Sequence, residues 1–182
     1  PIKITAFGDS MMASYQLDPA DGFPAQLKRA LIAKGLEIEM TDAGVSGDTT
    51  SGGLERLDWS VPDGTDIVIL ELGANDALRG APPEAAEANL EAMIEKLKVR
   101  NIKIILAGML APPNMGKDYE AAFNGVFPKL AEKHGLPLIP FFLDGVAGAP
   151  ELQLEDRMHP NPKGVQKMVE NALPVILQAL VK

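Results

Sequence analysis

The chain of 182 residues reads as an α/β protein built on a five-stranded, doubly wound parallel sheet. Three observations predict this. Strand-type and helix-type segments alternate along the whole length, the pattern of repeated strand–helix–strand units. Residues 66–72 and 102–109 are nearly continuous apolar runs, as expected of strands covered on both faces. Crossovers between parallel strands are right-handed and each lays a helix on one face, so five such strands carry helices on both sides.

The elements follow in order. Residues 2–7 form a first strand of β-branched and aromatic side chains, ended by Gly8. Asp21-Gly22-Phe23-Pro24 opens a helix with Leu27, Ala30, Leu31 and Lys34 at helical spacing and Gly35 as its stop. Residues 36–41 alternate as a second strand, ending at Asp42-Ala43-Gly44. The polar loop Val45-Ser46-Gly47-Asp48-Thr49-Thr50 leads into a short helix around Leu54 and Leu57. The third strand, 66–72, ends at Gly73-Ala74-Asn75-Asp76. Pro82-Pro83-Glu84 then starts a long helix with the stripe Ala86, Leu90, Met93, Ile94 and Leu97. After the fourth strand, 102–109, comes the turn Ala111-Pro112-Pro113-Asn114-Met115-Gly116 and a helix from about Tyr119 to His134. Residues 136–142 form the fifth strand, and a long loop, 143–161, closes in Asn161-Pro162, an N-cap type before a first-turn proline. The last helix is expected to bury Val165, Met168, Val169, Ala172, Leu173, Ile176, Leu177 and Leu180, with Pro174 expected to kink it. No repeat or linker interrupts the series, and 1–182 reads as one domain with its own core.

Composition narrows the chemistry. A formal net charge of −8 with no Lys/Arg run argues against a nucleic-acid partner or an anionic membrane surface. The absence of cysteine removes disulfides, thiolate metal sites and cysteine nucleophiles, and two histidines are too few for a three-histidine zinc site. No apolar run reaches the roughly 20 residues that span a bilayer. The chain opens on Pro1 rather than Met, which suggests a chosen start or a cleaved signal peptide.

The residues that could do chemistry fall in loops after strands, where doubly wound folds gather their ligands. Asp9-Ser10 follow the first strand, Gly47 the second, Asn75 the third; Asp156 and His159 lie before the last helix. Asp9 or Ser10 could simply cap the next helix. Three other chemistries lack their motifs: there is no G-x-G-x-x-G after the first strand, no Walker loop and no G-x-S-x-G elbow. A serine hydrolase needs a nucleophile, a histidine base, an orienting carboxylate and N–H donors for an oxyanion, and all four types are present. Of the histidines, His134 ends a helix before Gly135, where the helix dipole accounts for it. His159 follows Asp156 at i+3, so the carboxylate can hold Nδ1–H and leave Nε2 as base.

Taken together, Gly8-Asp9-Ser10, Gly44-Val45-Ser46-Gly47-Asp48-Thr49, Gly73-Ala74-Asn75-Asp76 and Asp156-Arg157-Met158-His159 resemble, in order, the four blocks of the SGNH (GDSL) hydrolases. The resemblance covers nearly the whole chain. It implies a flavodoxin-like, three-layer α/β/α fold without cofactor or metal. Ser10 would be the nucleophile, His159 the base and Asp156 its partner, with Ser10, Gly47 and Asn75 forming the oxyanion hole. Met11-Met12-Ala13 departs from the leucine or isoleucine followed by threonine common in the family. The stretch from Asn75 to Gly80 looks like the bacterial multifunctional esterases (thioesterase, lysophospholipase, arylesterase), which are often exported to the periplasm. The expected partner is a small ester, and the reading is compatible with a homo-oligomer.

The expected pocket wall is Met11, Met12, Leu78, Arg79, Pro112, Met115 and Phe142 with their neighbours, apolar and adaptable, under short loops with no large lid. Two other readings stay open here. A carbohydrate deacetylase could use the same triad, although one Trp and two Tyr offer little aromatic platform. A non-catalytic flavodoxin-like binding or signalling module would suit Asp9 after the first strand. It would also want a lysine after the fifth, where Phe142-Leu143-Asp144 stands instead.

Overall fold

The computed structural model describes residues 1–181. Its strands are β1 (Ile2–Gly8), β2 (Ile38–Gly44), β3 (Ile67–Glu71), β4 (Lys103–Ala107) and β5 (Leu138–Ile139). The helices are α1 (Phe23–Ala33), α2 (Thr50–Ser60), α3 (Ala74–Leu78), α4 (Pro83–Val99), α5 (Lys117–His134) and α6 (Pro162–Leu180). The strands form one parallel sheet in the order β2-β1-β3-β4-β5, the flavodoxin-like order. α1 packs on α6, and α2 and α5 both pack on α4, which gives the two helical layers around the sheet. The central strands supply the core: Phe7, Ile69, Leu70 and Leu106 are fully buried, each stabilising by about 1.5–3 kcal/mol.

β3 and β4 are trimmed at their ends relative to the sequence reading, and β2, β5 and α3 differ from it more. β2 starts two residues later than expected and runs on to Gly44, because its ladder with β1 continues from Ile2↔Ile38 to Gly8↔Gly44. β5 shrinks to two residues. It is an edge strand held between Pro137 and Pro140, and Pro140 has no N–H with which to extend the ladder. α3 is an added helix. Its five residues start after Gly73 at φ 125°, and a single turn is too short to show a 3.6-residue period. Pro174 sits inside α6, which continues past it to Leu180.

The order of the strands reverses beside β1, so the loops after β1 and β3 part there and leave a crevice at the carboxyl edge of the sheet. No helix among the described residues is long and apolar enough to cross a membrane.

Candidate active site

Ser10 is presented by a tight turn at the end of β1. The Asp9 carbonyl accepts the N–H groups of Met12 (3.1 Å) and Ala13 (3.0 Å), while Asp9 Oδ1 accepts that of Met11 (3.1 Å). The turn fits because Gly44, at the end of β2, has no side chain: a Cβ there would lie 2.3 Å from the Ala13 nitrogen. Ser10 Oγ donates to His159 Nε2 at 2.8 Å. His159 Nδ1–H donates in turn to Asp156 Oδ2 at 2.6 Å, a tautomer set by the carboxylate, which can only accept. Asp156 Oδ1 also accepts the backbone N–H groups of Met158 (2.9 Å) and His159 (3.0 Å). Burial opposes ionisation of Asp156, but the His159 bond and these two N–H groups outweigh it and hold its carboxyl at about 2.

The loop after β2 is fastened from several sides. Arg56 of α2 donates to Asp48 Oδ2 (2.7 Å), to the Ala43 carbonyl (3.0 Å) and to the Gly8 carbonyl (2.9 Å), so it joins that loop to the ends of both strands. Asp76 of α3 accepts the N–H and the hydroxyl of Thr50 at 2.8 and 2.6 Å. Asn75 donates one amide hydrogen to the Asp48 carbonyl at 2.9 Å, which leaves the second for another acceptor. Gly47 takes φ 81°, a left-handed conformation that glycine adopts without strain. Neither the Ser10 nor the Gly47 N–H has an acceptor among the described residues. Those two N–H groups and the spare Asn75 hydrogen are the kind of donors a developing oxyanion requires.

Beside Ser10 opens a cavity of about 640 Å³. Met11, Leu78 and Pro112 line it as the sequence suggested, together with Ala74, Leu110 and Phe141. Four expected residues do not line it. Met12 is fully buried in the core, because the tight turn sends consecutive side chains to opposite sides and Met12 falls beneath Gly8 and Gly44. Phe142 packs edge-on against Phe23 at 4.8 Å, because the chain turns after Phe141, whose carbonyl accepts the Asp144 N–H, and the wall falls to Phe141 instead. Arg79 follows Leu78 at the end of α3 and is exposed; one helical step of about 100° turns it away from the crevice. Met115 is half-buried against the Gly80 segment.

Several residues at the site went unread in the sequence. Tyr15 lies over the His159 ring with centroids 4.3 Å apart. Arg157 and Met158 line the cavity, and their place between Asp156 and His159 was the available signal. Glu120 and Asn124 come from α5, and Asn124 Oδ1 accepts the Ala111 N–H at 2.7 Å, which pins the wall. Nothing in the polar face of a helix distinguishes them beforehand. His134 lies elsewhere, at the end of α5, with Nε2–H on Glu91 (3.0 Å) and Nδ1 facing Lys98 (3.1 Å). A second cavity of about 570 Å³ runs along β4, β5 and α6, lined by residues such as Ile104, Leu136 and Val175; it holds neither Ser10 nor His159. No three His, Asp or Glu side chains among the described residues come together so as to hold a metal ion.

Comparison with known proteins accords with this geometry. The model of the GDSL-like Lipase/Acylhydrolase family matches residues 6–167. An arylesterase of Vibrio mimicus is 38% identical over 99% of this chain and 88% of its own length. Thioesterase 1/protease 1/lysophospholipase L1 of Escherichia coli K12 is 34% identical, over 96% of this chain and 82% of its own. The crystal structure of the psychrotrophic esterase EstA from Pseudoalteromonas sp., inhibited by monoethylphosphonate, superposes with a TM-score of 0.93 at 31% identity, covering 100% of both chains. The protein is thus a carboxylic ester hydrolase, and it belongs to the GDSL-like lipase/acylhydrolase family.

Proposed function

We propose that the protein cleaves short- and medium-chain acyl esters and aryl esters through an acyl-serine intermediate. The observation that carries this reading is the unbroken chain Ser10 Oγ–His159–Asp156, at 2.8 and 2.6 Å, on the wall of a mostly apolar cavity. Ser10 Oγ attacks the ester carbonyl as His159 Nε2 takes its proton, and Asp156 keeps the imidazolium oriented. The carbonyl oxygen becomes an oxyanion, which accepts from the N–H groups of Ser10 and Gly47 and from the Asn75 amide. One such donor contributes about 2.7–4 kcal/mol to the transition state in a comparable enzyme. His159 then returns the proton to the departing alcohol, and a water activated by the same base releases the acid.

The cavity suits an acyl chain or an aryl group of modest size, since each buried methylene adds about 0.8 kcal/mol until the wall is reached. Leu78, Leu110 and Met158 stand half-exposed (51, 45 and 48%), so the cavity opens at a soft apolar rim rather than under a lid. Thioesters and lysophospholipids fit the same geometry, in line with the name of the Escherichia coli relative. A sugar deacetylase would call for an aromatic platform, yet Trp59 is 75% exposed on α2 and is not part of the cavity. A periplasmic or secreted location belongs to this proposal and rests on the resemblance to exported esterases. The test is a panel of nitrophenyl esters and acyl thioesters of increasing length, with Ser10→Ala as control. kcat/KM should rise over the first few carbons and then level off; a steady climb to long chains, or activity confined to acetylated sugars, contradicts the reading.

A further inference from the structure

Two acidic side chains lie directly behind the nucleophile. Asp9 and Glu71 are both wholly buried, and Glu71 ends β3 opposite Gly8 in the ladder with β1. The Asp9 N–H donates to Glu71 Oε1 at 3.2 Å, and the two carboxyl groups lie within hydrogen-bonding reach of each other. Gly8 makes the arrangement possible, since a Cβ there would come 2.4 Å from Glu71 Oε1. Asp9 Oδ2 and Glu71 Oε2 are the two carboxyl oxygens among the described residues that are buried without a donor. Two ionised carboxylates could not sit there side by side: each would lose its hydration and repel the other. A single proton on one of them supplies the missing donor and acceptor at once.

We propose that Asp9 and Glu71 hold one proton between them, and that this acid–carboxylate pair positions the turn carrying Ser10. The inference rests on the role given to Ser10 above. Burial, reinforced by the charge of Asp9, raises the Glu71 carboxyl well above its ordinary range, so the shared proton is assigned to Glu71, whose carboxyl is then the donor to Asp9. Burial raises Asp9 as well, but the bonds from Glu71 and from the Met11 N–H favour its ionised form. The titratable groups facing the pair are His159 and Asp48, with Arg56 reaching the neighbouring Gly8 carbonyl. Asp9 thus grips the turn through Oδ1 on Met11 N–H and anchors it to β3 through its own N–H on Glu71 Oε1, with the shared proton as the second tie. Asp9 and Glu71 are positioning residues, acting through the backbone of Ser10.

The deciding measurement is infrared spectroscopy of the wild-type protein at pH 7, where solvent-exposed carboxyls are ionised. The expected result is a protonated-carboxyl band that persists in Ser10→Ala and disappears in Glu71→Gln. Kinetics test the positioning: Glu71→Ala should lower kcat by up to about 100-fold with KM little changed, the scale of a misplaced reacting group. Glu71→Gln should recover most of that loss, because its amide replaces the shared proton as donor. The Tm of Glu71→Gln relative to wild type should also climb with pH above about 5, since a raised carboxyl makes the wild type lose stability as pH rises. If the band is missing at pH 7, or the glutamine variant is as impaired as the alanine one, the proposal is overturned. Should Glu71→Ala fail to fold, the band and the pH trend decide. None of these spectra requires Ser10 to react, so they separate this inference from the acyl-serine mechanism.

Discussion

Replacing Arg56 by methionine removes the side chain that fastens the Gly47 loop to the ends of β1 and β2. Three hydrogen bonds go, at 2.7, 3.0 and 2.9 Å. The Arg56 and Asp48 side chains are only 11 and 12% exposed, so Asp48 is left nearly buried without its counter-charge. Breaking a buried pair from one side costs about 3–5 kcal/mol. Methionine keeps much of the packing on the Phe7 ring, where the guanidinium lies 4.1 Å from the centroid, so the packing term stays small. At this chain length 1 kcal/mol moves Tm by about 2–4 °C, which gives a fall of roughly 6–20 °C. The Asp48 carbonyl also holds Asn75 at 2.9 Å, so kcat should drop by roughly tenfold or more even where the variant is fully folded. Thermal unfolding by circular dichroism and initial rates on a nitrophenyl ester, well below the lower Tm, measure both. Adding Asp48→Asn should restore part of the stability, since the orphaned charge is gone. A Tm within about 2 °C of wild type together with an unchanged kcat would refute the reasoning.

Three further expectations concern the histidines and Asp156. His159→Ala should cut kcat by at least about 10³-fold, whereas His134→Ala, at a helix end, should cost about 1 kcal/mol of stability and leave rates intact; a dead His134→Ala variant would misplace the site. Asp156→Asn should fall between in kcat, because the carboxylate orients the base without reacting. Held at about 2, Asp156 stabilises the fold fully above its unfolded value of about 4 and loses that contribution as pH falls through 2. Part of the acid loss of Tm should therefore vanish in Asp156→Asn, and an identical acid limb in both proteins would contradict the assignment.

Much of the fold was legible because periodicity and punctuation agreed: the apolar runs of β3 and β4, the stripe of α4 and the Asn161-Pro162 start of α6 each carry their own signal. Short elements were not. α3 is one turn, and the extent of β5 depends on which N–H groups a neighbouring strand can use, a tertiary fact. At the site, Ser10, His159, Asp156 and Asn75 from the four blocks come together, while Gly47 is not among the residues that line the cavity. The wall was only partly readable. Whether Met11 or Met12, Phe141 or Phe142, faces the crevice depends on a single-residue phase at a tight turn or a strand end, which composition does not encode. Arg56 and Glu71 are ordinary charged residues in the sequence, and only burial and partners reveal what they hold.

The most direct measurement of the acyl-serine mechanism is covalent capture with a fluorophosphonate, followed by intact-mass and peptide mass spectrometry. A serine is attacked by such a reagent only when a neighbouring base activates it. One adduct per chain, on Ser10, lost in Ser10→Ala and strongly slowed in His159→Ala, is the predicted result. No adduct, or an adduct on another residue with Ser10→Ala still active, would contradict the account.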